Sequence, residues 1–171
     1  MKLVKIINSN KVLMYDEKFR GIYMKTRLMN MIKIVNPKTN EVVILDKVKK
    51  EGWEGLTFPG GKVEASESFY DSAIREAKEE TGLDIYDLEF CGFITWISDD
   101  YKDVGLLYGT SKYRGKLIRD NREGTLSWVD FEDFKKMDGM SLSMDKILKI
   151  YDGTYQEIIW DIRNDNITYI N

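Results

Sequence analysis

Between Gly61 and Leu83 the chain reads Gly-x5-Glu-x7-Arg-Glu-x2-Glu-Glu-x-Gly-Leu, placing four glutamates and one arginine around a glycine turn and one predicted helix. The fixed residues are Gly61, Glu67, Arg75, Glu76, Glu79, Glu80 and Gly82. At roughly one chance in fifteen per position, such a pattern arises by accident on the order of once in 10⁸ windows. It marks a dedicated site and constrains the fold around it.

The segment has a physical reading of its own. Phe58-Pro59-Gly60-Gly61 ends a short apolar run with a glycine pair that can turn sharply and expose carbonyls. Ser66 or Ser68 can cap a helix whose first turn carries Glu67. Tyr70, Ile74, Ala77 and Thr81 form a buried stripe at helical spacing, and Gly82 supplies a left-handed end, so a helix is expected from about Ser66 to Thr81. On it Glu76, Glu79 and Glu80 stand at i, i+3 and i+4, where like charges repel by a few tenths of a kcal/mol per pair. Arg75 and Lys78 offset only part of that charge. A hard divalent cation with oxygen ligands, keeping waters and accepting substrate phosphates, would remove the repulsion.

These residues resemble the signature of the Nudix hydrolases, the MutT-related family, at every position, with Ala77 and Leu83 in the aliphatic slots. The resemblance implies an α/β/α sandwich with a mixed sheet between helical layers. It implies cleavage of a nucleoside diphosphate linked to another group, with bound Mg²⁺ or Mn²⁺ activating water and neutralising phosphate. Carried over by position, Glu76, Glu79 and Glu80 would be metal ligands, helped by the carbonyl of Gly60. Gly61, Glu67 and Arg75 would support the site, the last two through a salt bridge.

Two further stretches are similar to bacterial 8-oxo-dGTP diphosphatases: Trp53 to Glu64, containing Thr57 and Lys62, and Asn121 to Val129. Trp53, Thr57 and Lys62 are the candidate substrate contacts, with core packing as the competing role for Trp53 and for Trp128. In the resembling enzymes a glutamate five residues before the tryptophan approaches the metal centre opposite the signature helix. Glu123 has that spacing to Trp128 and is a candidate general base, or only a turn residue. One departure stands out. Where some relatives read an oxidised purine with adjacent acidic residues, this chain has Met140-Ser141-Leu142-Ser143-Met144, flanked by Asp138 and Asp145.

Composition narrows the chemistry independently. The chain has no histidine, which excludes Ser-His triads, His-ligated zinc and imidazole bases. The single cysteine, Cys91, permits no intrachain disulfide and fits buried strand packing. A net charge of −3 with scattered basic residues argues against nucleic-acid binding, and Lys47, Lys49 and Lys50 fit a solvated strand end. No stretch has the length of a signal peptide or membrane span, so a cytoplasmic location without membrane association is expected.

At 171 residues the chain suits one Nudix domain. Leu3–Ile7 and Lys11–Tyr15 predict an extra N-terminal hairpin within residues 1–20. A long strand over Gly21–Val35 is expected to form a hairpin with Glu41–Val48. Leu88–Ile97, Val104–Arg114 and Gly124–Val129 read as strands, Phe131–Met137 and Ser143–Tyr151 as helices, and Tyr155–Ile162 with Ile167–Ile170 as a closing hairpin. The expected activity is Mg²⁺-dependent hydrolysis of 8-oxo-dGTP or related (d)NTPs to the monophosphate and pyrophosphate. The alternatives are an ADP-ribose or nucleotide-sugar pyrophosphatase, a non-catalytic nucleotide sensor, and a chain acting through a protein partner at its edge hairpin.

Overall fold

A computed structural model describes the backbone of residues 3–8, 11–16, 25–48 and 53–171, and side chains within the last two ranges. Strands β1 (Leu3–Asn8) and β2 (Lys11–Asp16) pair antiparallel, as the sequence predicts for the N-terminal hairpin. Residues 21–24 of the expected long strand, and Lys49 and Lys50, lie outside the described residues.

The frame of the site is a five-stranded mixed sheet in the order β12-β11-β7-β8-β3, formed by β3 (Lys25–Ile34), β7 (Glu89–Ile97), β8 (Tyr101–Thr110), β11 (Glu157–Asp161) and β12 (Asn166–Ile170). β3 runs parallel to β8 and β11 parallel to β7, while the β7–β8 and β11–β12 pairs are antiparallel. A three-stranded sheet in the order β10-β4-β5 joins β10 (Gly124–Asp130), β4 (Glu41–Lys47) and β5 (Gly55–Thr57). The expected hairpin between the strands around residue 38 is therefore corrected: β3 and β4 belong to different sheets, and backbone pairing across the turn is limited to the Val35–Val42 bridge and the Asn36 amide, which donates to the Glu41 carbonyl at 2.7 Å. The expected Val104–Arg114 strand likewise divides, β8 ending at Thr110 and β9 (Tyr113–Arg114) pairing with β6 (Asp84–Ile85).

Alternation along the strands sends side chains into two cores. Ile32, Ile34, Val43, Leu45 and Tyr108 pack with Ala73 and Ala77 of α1 (Phe69–Thr81). Ile94, Trp96, Leu107, Val42, Ile44 and Ile158 pack with Ile147, Leu148 and Ile150 of α3 (Met144–Tyr151) and with Phe134 of the single-turn α2 (Phe131–Phe134). Cys91 packs against this second core, half-buried, and burial pushes its thiol up.

The signature helix starts later than expected. Ser68 is the N-cap, its Oγ accepting from the Asp71 amide at 3.0 Å, so Glu67 lies in the turn before the helix rather than in its first turn. Gly82 closes the helix at φ 75°, as its position predicts. The buried stripe is Ser72, Ala73, Ala77, Glu80 and Thr81; Tyr70 is 41 % exposed. Two alanines bring the helix axis close to the sheet, and the larger Tyr70 is left on the flank.

Candidate active site

The glycine turn is sewn to β3 from both sides. Pro59 and Gly61 carbonyls accept from the Ile32 and Asn30 amides, each at 2.8 Å. Asn30 Oδ1 accepts from the Gly61 amide at 3.3 Å, while its Nδ2 donates to Ser72 Oγ of α1 at 2.7 Å. Glycine is required at 60, where a Cβ would sit 2.2 Å from the Asn30 carbonyl oxygen. A Cβ at 61 would sit 2.4 Å from Glu76 Cδ, so the missing side chain makes room for that carboxylate. The Gly60 amide donates to Glu80 Oε2 at 2.8 Å.

Arg75 is the hub beside this turn. Its Nε and Nη2 donate to Glu67 Oε2 and Oε1 at 2.9 and 2.6 Å, Nη1 to Glu76 Oε1 at 2.8 Å and Glu79 Oε2 at 3.4 Å, and Nη2 to the Lys62 carbonyl at 3.1 Å. The guanidinium, followed by the Glu64 amide, holds the Glu67 carboxyl down at about 2, and the carboxylates raise Arg75 in turn. The salt bridge expected of this pair is present.

The three helix glutamates share a side but not an environment. Glu79 is 54 % exposed at its side chain and Glu76 15 %, whereas Glu80 as a residue is 7 % exposed. Burial, with Glu123 and Glu76 adding like charge, pushes the Glu80 carboxyl up to about 8 despite the Gly60 amide and Lys47. Burial also raises Glu76.

Glu123 meets this group from the opposite loop. Asn121 Oδ1 accepts from the amides of Glu123 and Gly124 at 2.7 and 3.0 Å, and its Nδ2 donates to the Glu80 carbonyl at 2.9 Å, tying the loop to the end of α1. Glu79, Glu80, Asn121, Arg122 and Glu123 line one surface depression. Glu123 Oε2, cut off from solvent, lies 2.7 Å from Lys47 Nζ, a charge contact without hydrogen-bond alignment. Among the described residues no three acidic side chains stand at the spacing of a closed metal cage, since each is turned toward a protein partner. The donor set nevertheless suits a hard cation: all-oxygen carboxylate donors on one side of a helix, with Glu76 and Glu80 at low exposure.

Next to the glycine turn opens a cleft of about 90 Å³, open to solvent. Trp53 and Thr57 line it, Trp53 meeting Trp96 edge to face at 5.3 Å. Lys62 is exposed and not in the lining; the fold uses its backbone, in a bridge to Met29 and as the acceptor for Arg75. Trp128 packs on Tyr113 at 5.4 Å beside the α1 core, away from the cleft. Ser141 and Leu142 reach the cleft from the segment that lacks the acidic pair. Sequence reasoning missed Asn30, Lys47 and Asp103 here. Asn30 carried a signal, an amide amid the otherwise apolar Leu28–Ile32 stretch, whereas nothing in the sequence pairs Lys47 with a residue 76 positions away.

The NUDIX domain model matches residues 24–149. An uncharacterized Nudix hydrolase of Bacillus subtilis, YvcI, is 31 % identical over 117 residues, 66 % of this chain and 72 % of that protein. An 8-oxo-dGTP diphosphatase of Buchnera aphidicola is 33 % identical over 104 residues, 57 % and 74 % of the two chains. Among solved structures, a MutT protein from Bacillus halodurans superposes with a TM-score of 0.65 at 18 % identity over 84 % of this chain and 95 % of that one. The NUDIX domain of Shewanella oneidensis NrtR, complexed with ADP ribose, gives 0.61 at 15 % identity over 82 % and 93 %. At those identities the structural likeness speaks for the fold alone. The family match covers the glycine turn, the glutamate helix and the Glu123 loop, and this chain belongs to the Nudix family as a hydrolase of pyrophosphate bonds.

Proposed function

We propose that the chain, acting as one Nudix domain in the cytoplasm, is a Mg²⁺-dependent nucleotide diphosphatase that hydrolyses 8-oxo-dGTP or a related (d)NTP to the nucleoside monophosphate and pyrophosphate. The observation that carries this reading is the buried Glu80, bonded to the glycine turn and sharing one surface depression with Glu79 and Glu123. Glu76, Glu79 and Glu80, with the Gly60 carbonyl, would hold Mg²⁺ or Mn²⁺. When bound, the cation supplies charge neutralisation of the phosphates and a lowered water pKa. Arg75 and Glu67 fix the helix against the turn, so the carboxylates keep their places through turnover. Glu123 is positioned to take the proton of the attacking water as its oxygen bonds to phosphorus and the bridging P–O bond breaks. Lys47, lining the cleft with its ammonium 2.7 Å from Glu123 Oε2, orients that carboxylate. Trp53 and Thr57 contact the nucleoside, with Lys62 at the rim.

The 8-oxo-dGTP diphosphatase relative supports the triphosphate substrate. The ADP ribose in the NrtR complex favours a second reading, an ADP-ribose or nucleotide-sugar pyrophosphatase. Comparing kcat/KM for 8-oxo-dGTP, dGTP, ADP-ribose and dinucleoside polyphosphates with Mg²⁺ separates them. Preference for a purine triphosphate is expected, and a tenfold advantage for ADP-ribose would move the chain to the second reading.

A further inference from the structure

Lys47 and Glu123 form a charged pair built on a fixed frame. Lys47 ends β4, paired with Gly124 of β10 on one side and Gly55 of β5 on the other. The Val48 amide donates to the Glu123 carbonyl at 3.0 Å, and a Cβ at Gly124 would run into the Asp46 carbonyl oxygen, so the two main chains lie in close contact. Asn121 Oδ1 holds the Glu123 amide. What is left free to move is the Lys47 side chain, a flexible four-carbon stem that lines the cleft and brings its ammonium to 2.7 Å from Glu123 Oε2.

Every carboxylate of the site has a protein group against it, and these groups differ in how readily they leave. Arg75 is bonded at once to Glu67, Glu76, Glu79 and the Lys62 carbonyl, and a guanidinium held by so many directed bonds stays in place. The Gly60 amide on Glu80 belongs to the main chain. Lys47, by contrast, makes one charge contact among the described residues, without hydrogen-bond alignment, to an oxygen cut off from solvent. The contact that orients Glu123 also blocks it, because an ammonium at 2.7 Å closes the approach to Oε2. The Glu123 charge acts on Glu80 and Glu76 and the Lys47 charge acts on Glu80, so the ammonium stands within the acidic group. A divalent cation and this ammonium are then rivals for one carboxylate.

We propose that Lys47 is the chain's own stand-in for the metal at Glu123: it compensates that carboxylate while no divalent cation is bound, and withdraws into the cleft it lines when one binds, freeing Oε2. Lys47 is thus a positioning residue that acts through Glu123. The inference rests on the cation reading above and adds what holds the site together before loading. Compensation is needed because a carboxylate left at low exposure without a partner is strongly destabilising. Its cost is a weaker hold on the metal, since each binding event must displace the ammonium.

Mn²⁺ binding followed by electron paramagnetic resonance tests this without turnover, in the wild type, Lys47→Met, Glu123→Gln and the double variant. Lys47→Met should bind Mn²⁺ about tenfold tighter or more, since the rival is gone, and its metal-free thermal midpoint should fall, since Glu123 is left uncompensated. In the Glu123→Gln background the same substitution should change Mn²⁺ affinity by less than about threefold, because the two residues act as one unit. A gain of the same size in both backgrounds would mean that Lys47 acts only as a distant charge, and a loss of affinity in Lys47→Met that it only braces the fold; either result overturns the inference. Should Lys47→Met not fold, acetylation of Lys47 in the wild type, read by mass spectrometry, decides instead. Saturating Mg²⁺ should speed that modification at least about threefold as the ammonium leaves its carboxylate, and an unchanged rate overturns the inference. Mn²⁺ bound alike by the wild type and Lys47→Met would overturn the inference alone, whereas no Mn²⁺ bound by any of these proteins would overturn the cation reading together with it.

Discussion

Each signature glutamate has its own surroundings, and these decide what a substitution does. Glu79→Gln and Glu80→Gln keep shape, and in the latter the new carboxamide oxygen can still accept from the Gly60 amide. Glu79→Gln removes one of the crowded charges and Glu80→Gln a carboxyl whose charged form burial already disfavours, so the metal-free thermal midpoint should hold or rise slightly while kcat falls at least about 100-fold, the scale of a lost cation ligand. Calorimetry and steady-state kinetics on the same preparations check both halves. Glu123→Gln should lower kcat at least about tenfold with a smaller effect on KM. Glu132→Gln is the control, since Glu132 pairs with nearby Lys135 on the exposed side of α2; equal, small effects would make Glu123 a turn residue. At this scale the acidic side of the site was legible, because spacing on one helix fixes which carboxylates gather. Lys47, Asn30 and Asp103 were not, since their roles depend on strand pairings that bring together residues dozens of positions apart.

Among elements, α1 shows both the reach and the limit of periodicity. Its end at Gly82 and its glutamates follow from spacing, but its start does not, because Ser66 and Ser68 are equally able caps and tertiary bonds choose between them. Glu67 is held outside the helix by Arg75 and the Glu64 amide, where it clamps the turn. Its carboxyl, at about 2 rather than the ordinary 4.5, is less readily protonated in the folded chain. The unfolded chain therefore binds the proton first as pH falls. The clamp's stabilisation is fully present above pH 4.5 and is lost as pH falls from 4.5 through about 2. The difference in thermal midpoint between the wild type and Glu67→Gln should be constant near neutrality and shrink over that window. A difference independent of pH would show that the clamp acts by shape rather than charge.

For the whole molecule, the two- and three-residue strands β5, β6 and β9 are too short to show a period, whereas the longer strands were readable from alternation and the closing hairpin and the α/β class followed. The division into two sheets was not, because Pro37-Lys38-Thr39-Asn40 reads as a hairpin turn whether the flanking strands pair along their length or diverge after one bridge. That divergence opens the cleft, which lies between β3 and β8 on one side and β4, β5 and the Ser141 segment on the other. A site at such a seam needs fastening, and Asn30 supplies it with one side chain bonded to both the glycine turn and α1. Amide hydrogen exchange makes the consequence measurable. An exposed glycine loop ordinarily exchanges its protons in isolation, by local fluctuation. Here the amides of Gly60 and Gly61 are both donated, to Glu80 and Asn30, so they should exchange at the same opening free energy as Ile32 and the middle of α1. In Asn30→Ala the loop protons should exchange faster than those of the helix, splitting one cooperative unit into two.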